Sequence, residues 1–288
     1  MTTSTLQDRA MLATLHISQW TNRKHDKTVS AEVERNHQAT DAGRYNKQLV
    51  DKASLEAIAK VASNTRAYHY KVTLPWGDNG DRLLPGALFM DYRNEMATFK
   101  GRFSSEVSAF RTRYPMLVQD AYKRLGSLYV ATDYPHVGEM RSRFAIETSF
   151  APVASGNDFR VNLNDEYVDQ IKREINERNA ALQRASVVDC WTRVRTVVGN
   201  IHERLSKADN KFKDTLIENA RDLLDVLPAL NVTGDPELAK IEKDVRDLLV
   251  PPQRLRDDAT LRSETARKAE ELLARMGMSG QSLSLEAA

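Results

Sequence analysis

From Phe89 to Tyr114, aromatic and apolar residues recur at helical spacing: Phe89, Tyr92, Met96, Phe99, Phe103, Val107, Phe110 and Tyr114. Steps of three and four place them all on one face of an α-helix. A stripe this rich in aromatic surface has to be covered, so this helix predicts the core of whatever the chain folds into. Pro115 is expected to end it and to open a further helix carrying Leu117, Ala121, Leu125 and Leu128. The same period returns from Val168 to Leu205, a run on the order of 60 Å if unbroken. Arg178 and Gly199 interrupt or flank that stripe and are candidate break points. Shorter stripes follow at Phe212–Leu227, Leu238–Leu248 and Leu261–Met276.

One stretch breaks the helical rule. Phe144, Ile146, Thr148 and Phe150 alternate, as do Phe159, Val161 and Leu163, on either side of Pro152 and Gly156-Asn157-Asp158. That pattern predicts a β-hairpin over Arg141–Leu163, with Phe144, Ile146, Phe150, Phe159 and Val161 buried under helices. The fold class expected is therefore mainly α: long antiparallel amphipathic helices, with a small β-hairpin around 141–163. Two regions are expected, a helical body over 1–230 and, past the linker Asn231–Pro236, a helical extension over 231–288 with a frayed tail. Within the body, Leu15–Trp20 alternates like a strand, and Val29, Val33 and His37 suggest a short helix capped by Ser30. Arg44–Val50 reads as helix, Leu55–His69 as a helix capped by Ser54, and Thr73–Asp81 as a loop turning at Asn79-Gly80.

Bulk properties remove several classes. With 288 residues, 41% apolar and 28% charged, the chain is neither disordered nor rich enough in apolar runs to span a bilayer. Its first residues lack the apolar core of a signal peptide, and Cys190 is the sole cysteine. Together these predict a soluble protein of a reducing cytosol. A formal charge of +2 is too small to argue for nucleic acid by itself.

Candidate chemistry is sparse. His16, His25, His37, His69, His136 and His202 are scattered, with no pair at ligand spacing, so no metal site is expected. Asp78-Asn79-Gly80-Asp81 lacks the closing glutamate of a calcium loop and reads as a turn. Cys190 lies inside a helical pattern, there is no Gly-x-Ser-x-Gly elbow, and no phosphate-binding glycine loop is present. No cofactor and no catalytic residue are predicted. The stretch with most promise is N-terminal, where Trp20 stands beside Arg23, Lys24 and Lys27, and Arg44, Tyr45 and Lys47 follow. Rings interleaved with cations are what a single-stranded nucleic acid groove needs, the rings to stack bases and the cations to meet phosphates. The competing account makes Trp20 a core anchor.

Several strings carry a family resemblance: Trp20-x-x-Arg23-Lys24-x-Asp26-Lys27-x-Val29, Thr73-Leu74-Pro75-Trp76-Gly77-Asp78, Asp133-Tyr134-Pro135, Arg141-Ser142-Arg143-Phe144 and Gly156-Asn157-Asp158-Phe159-Arg160-Val161. In this order the chain resembles, over nearly its whole length, a family of uncharacterised tailed-bacteriophage proteins carried under a domain-of-unknown-function label. The resemblance implies a phage accessory protein acting in the host cytoplasm, with a MoxR-type AAA ATPase as a possible partner, and it assigns no catalytic residue. The function expected is a non-enzymatic assembly or adaptor protein that self-associates through helical, coiled-coil-like surfaces into a homo-oligomer. The alternative is a protein that binds or anneals single-stranded nucleic acid through its basic N-terminal segment.

Overall fold

The structure, a computed structural model, describes residues 5–156, 164–207 and 211–285. In chain order its elements are α1 (Leu6–Arg9), β1 (Ala10–Ser18), β2 (Arg23–His25), α2 (Lys27–Asn36), β3 (Asn46–Gln48), α3 (Glu56–Val72), β4 (Leu74–Pro75), β5 (Asp81–Pro85) and α4 (Phe89–Leu125). Then come β6 (Ala145–Pro152), α5 (Asp165–Leu205), α6 (Thr215–Leu230), α7 (Pro236–Arg246), α8 (Pro252–Asp257) and α9 (Ala259–Leu285). The protein is mainly α. Among the described residues the strands form a sheet of order β4-β5-β1-β6 and a separate ribbon of β2 and β3. No helix among them is long and apolar enough to cross a membrane.

The chain divides into two compact units, and the division is not at residue 231. One unit is built from 1–14, 69–92 and 149–288, the other from 15–68 and 93–148. The helices beyond the Asn231–Pro236 linker therefore belong to the first unit, together with α5.

In the first unit, α5 is the spine. Asn164 caps it by accepting from the Glu166 N–H at 3.2 Å, and Asp165 and Glu166 meet the positive end of its dipole. Neither Arg178 nor Gly199 breaks it. Its buried side begins at Ser186 and continues through Cys190, Trp191, Val194, Val198, Ile201 and Leu205. That stripe packs mainly against α9, with α6 and α7 alongside. Leu238, Ile241, Val245 and Leu248, then Ala266, Ala269, Leu272 and Met276, are all buried in this same core. The two stripes of the expected extension are thus covered within the chain itself. Asp235 holds the junction by capping α7 at the N–H groups of Glu237 and Leu238 while accepting from the Trp191 indole at 3.1 Å.

The segment expected to be a loop, Thr73–Asp81, does turn at Gly77–Gly80, but Leu74–Pro75 forms β4 and Asp81 opens β5. β4 pairs with β5 through a turn holding Gly77 and Gly80 at positive φ, and β5 pairs antiparallel with β1 from Ala10↔Pro85 to Thr14↔Asp81. Arg193 donates to the carbonyls of Lys71 (2.9 Å) and Thr73 (2.7 Å), and Arg82 also reaches Thr73, so two guanidinium groups satisfy the end of α3. After β6 the chain lies so close to α5 that a Cβ on Gly156 would come within 2.9 Å of the Lys172 carbonyl oxygen.

In the second unit, the aromatic stripe does what its spacing predicts. Met96, Phe99, Phe103, Val107, Phe110 and Tyr114 are buried. Pro115 does not end the helix: α4 continues to Leu125, with Tyr114 and Leu117 packed on the core on either side of the missing N–H and Ala121 buried one turn on. The core closes with Leu49, Val50, Ile58, Ala62, Met140, Phe144 and Ile146.

The hairpin expectation survives in part. β6 is a strand, and Phe144 and Ile146 are buried, but Phe150 is 40% exposed, its ring leaning on Phe89 at 5.2 Å. Within the sheet β6 neighbours β1, so the partner it shows is not its own second arm. That second arm, Phe159, Val161 and Leu163, lies outside the described residues.

Candidate nucleic-acid interface

The expected site residues all fall in the second unit, and the structure sorts them into two groups. β2 and β3 pair antiparallel with Arg23↔Gln48, Lys24↔Lys47 and His25↔Asn46. The expected helix at Arg44–Val50 is therefore a strand edge. Its helical propensity is overruled by pairing and by the partners waiting for Lys47. The ribbon is anchored at one end by Asn22, whose amide donates to Val50 O and accepts from Val50 N, both at 2.7 Å.

Trp20 and Lys47 are interior residues. Trp20 is 8% exposed, with Phe110 and Tyr114 at centroid distances of 6.2 and 5.9 Å, leaving no free face for a base. It is a core anchor and drops out of the candidate set. The Lys47 side chain is 3% exposed, and its ammonium meets Asp26 (3.1 Å), Asp133 (2.8 Å) and the Leu128 carbonyl (2.7 Å). All three of its donors are used, so no phosphate can claim one. Burial alone would lower its pKa, but the Asp133 and Asp26 carboxylates outweigh that, and the net shift is upward. Asp26 is in turn held below the usual carboxylate range, first by the Val29 N–H and then by Lys47. It also caps α2, the role expected of Ser30.

The remaining candidates stay at the surface. Arg23 and Lys24 project from β2, on opposite sides of the ribbon because side chains alternate. Lys27 opens α2, and the Asp26 N–H donates to the Tyr45 carbonyl at 2.9 Å, which gathers Lys27, Arg44 and Tyr45 at the ribbon's open end. On the Arg23 side, a cavity of about 600 Å³ is lined by Arg23, Gln48, Lys52, Leu55 and Glu56 among others.

The rings that sequence reasoning missed lie beside this ribbon. α4 ends at Gly126, whose φ of +53° suits glycine and turns the chain back. Tyr129 then meets Tyr122 edge-on at 5.2 Å and stacks on Tyr134 at 5.1 Å. Tyr134 donates its hydroxyl to the Leu49 carbonyl at 3.0 Å, and Arg124 donates to the carbonyls of Gln48 and Leu49 at 2.8 and 2.9 Å. The tyrosine ladder is thereby tied to β3. Tyr122 is 64% exposed, and Lys24 stands 4.0 Å from Asp133, the residue preceding Tyr134. Tyr122 sits off the apolar stripe of α4, and that is the only signal the sequence offers for it.

Charge divides along the same line. Residues 15–68 and 93–148 hold 18 Lys and Arg against 12 Asp and Glu, a formal +6. The other unit holds 24 against 28, a formal −4, and the two recover the +2 of the whole chain.

Groups elsewhere that suggest chemistry are closed. Burial pushes the Cys190 thiol up to about 12, and the His69 ring, hydrogen-bonded to the Tyr92 hydroxyl at 2.9 Å, is pushed down to about 4 by burial and then by Arg82. Among the described residues no group of His, Cys, Asp and Glu is placed to hold a metal ion. The chain matches no protein-family model, no curated protein and no solved structure.

Proposed function

We propose that the protein binds single-stranded nucleic acid across the tyrosine-and-cation face of its second unit, as a non-enzymatic accessory protein of the phage class it resembles, in the host cytoplasm. The observation that carries this reading is the segregation of charge, +6 on the unit that also displays the Tyr122–Tyr129–Tyr134 ladder. Bases stack on Tyr122 and Tyr45, while Lys24, Lys27 and Arg44 meet phosphates; Arg23 lies on the other side of the ribbon. Stacking on any ring accepts any base, so the binding is tolerant of sequence.

The test is oligothymidylate affinity by fluorescence anisotropy across a salt series. Neutralising about three phosphates gives a slope of log K on log salt of roughly −2. Tyr122→Ala is expected to weaken binding by about 1–3 kcal/mol. A flat salt dependence, or full affinity in Tyr122→Ala, removes the reading.

A second reading, an adaptor working with another copy or with a MoxR-type ATPase, is favoured by one surface. The first half of α5 up to Arg184 has no fully buried residue; Val168, Ile171 and Ile175 are half-covered, and Tyr167 is exposed.

A further inference from the structure

The first unit is acidic as a whole, yet one of its cavities is lined by cations. Between the end of α5, the start of α6 and α8 lies an open cavity of about 860 Å³. Arg204 comes from the last turn of α5, Lys211 and Lys213 from the segment before α6, and Arg256 from α8. Asn219 adds an amide to the wall, and among the described residues no carboxylate side chain lines it. Asp214, next to Lys213 in the chain, is engaged by Arg256. Arg256 is held in place by that ion pair, by the Phe212 carbonyl at 3.1 Å and by stacking over the Phe212 ring at 5.0 Å. Its plane is therefore preorganised, with little rotamer freedom left to lose on binding. Arg204 and Lys213 make no ion pair among the described residues, and both are exposed. Like charges crowded around one cavity repel each other at a cost in stability, which an anionic occupant relieves.

We propose that this cavity is a binding site for a phosphate polyanion of nucleotide size. Its volume suits a nucleoside triphosphate, and the cations suit the phosphate chain, which a free inorganic polyphosphate also offers. Arg204 and Lys213 grip the chain, Arg256 presents a fixed fork of donors, and Asn219 donates to an oxygen or a base edge. The site is separate from the tyrosine face of the second unit and does not depend on it.

Isothermal titration calorimetry on the full chain separates the possibilities, with adenosine triphosphate and inorganic tripolyphosphate as the two ligands. Micromolar binding of at least one ligand is expected, weakened about tenfold or more in Arg204→Ala/Lys213→Ala and kept within about threefold in Arg204→Lys. Lys213→Glu alone is expected to weaken binding as well, and serves if the double variant folds poorly. Equal affinity for the two ligands assigns recognition to the phosphate chain, whereas about tenfold preference for the nucleotide adds the nucleoside. Binding no tighter than millimolar for both ligands overturns the proposal, and so does parental affinity in the folded Arg204 and Lys213 variants.

Discussion

Both units bury polar side chains and match them with partners, but they carry charge of opposite sign. The first does its matching with neutral donors and arginine. His69 is sealed against Tyr92, Ser186 donates to the Pro75 carbonyl at 3.0 Å, Trp191 donates to Asp235, and Arg193 donates to the Lys71 and Thr73 carbonyls at the end of α3. The second buries Lys47 with two aspartates and leaves Arg23, Lys24, Lys27, Arg44 and the Tyr122 ring exposed. A net charge near zero thus hides a −4 unit and a +6 unit. Whole-chain charge is a poor guide to partners when a fold segregates it, because steering depends on the local field.

The contrast can be broken at its core first. Phe110 is fully buried at the centre of the second unit, and Phe110→Ala is expected to cost about 3–5 kcal/mol. Urea melts can follow the units separately, because Trp20 reports on the second, while Trp76 and Trp191 report on the first. The loss should appear in the Trp20 signal.

Lys47→Met comes next, at about 3 kcal/mol, because Asp26 and Asp133 would face each other without their shared cation. Were Lys47 instead a phosphate ligand, the variant would keep its stability and lose affinity. That outcome would return Lys47 to the interface.

Acid should act on the first unit through His69. Its folded pKa of about 4 lies below the ordinary 6.5, so the stability it contributes is complete above pH 6.5 and is lost as pH falls towards 4. The window closes with a loss approaching 3 kcal/mol, at about 1.4 kcal/mol per pKa unit. His69→Gln should flatten that part of the pH–stability curve in the Trp76 and Trp191 signals. A curve that keeps its slope in the variant places the acid sensitivity elsewhere.

The smallest effect expected is Phe150→Ala, about 1 kcal/mol, because the ring keeps 40% of its exposure. A loss as large as that of Phe110→Ala would mean that Phe150 is a core residue, as its alternation in sequence suggested.

Periodicity made the helices legible. The α4 stripe, α5, and the cap-then-proline start of α7 all announce themselves locally, since helices are built from contacts three and four residues apart. What stayed hidden depends on distant partners. β3 is a strand because Lys47 finds Leu128 and Asp133 more than 80 residues later, and nothing in Arg44–Lys47 announces them. The unit boundary is illegible for the same reason: it is crossed repeatedly by the chain and has no linker composition to mark it. In the candidate site, spacing found the exposed cations Arg23, Lys24, Lys27 and Arg44 and the ring of Tyr45. It also selected Trp20, because a tryptophan next to cations looks the same in sequence whether it faces solvent or Phe110. Tyr122, Tyr129 and Tyr134 come together only through the turn at Gly126.

Ultraviolet cross-linking of the intact chain to oligothymidylate, with the adducts mapped by mass spectrometry, tests the central claim most directly. The account predicts adducts on Tyr122, Tyr129 or Tyr45, within residues 15–68 and 93–148, that fade as salt is raised. Adducts confined to residues 69–92 and 149–288, or none at moderate salt, would contradict it.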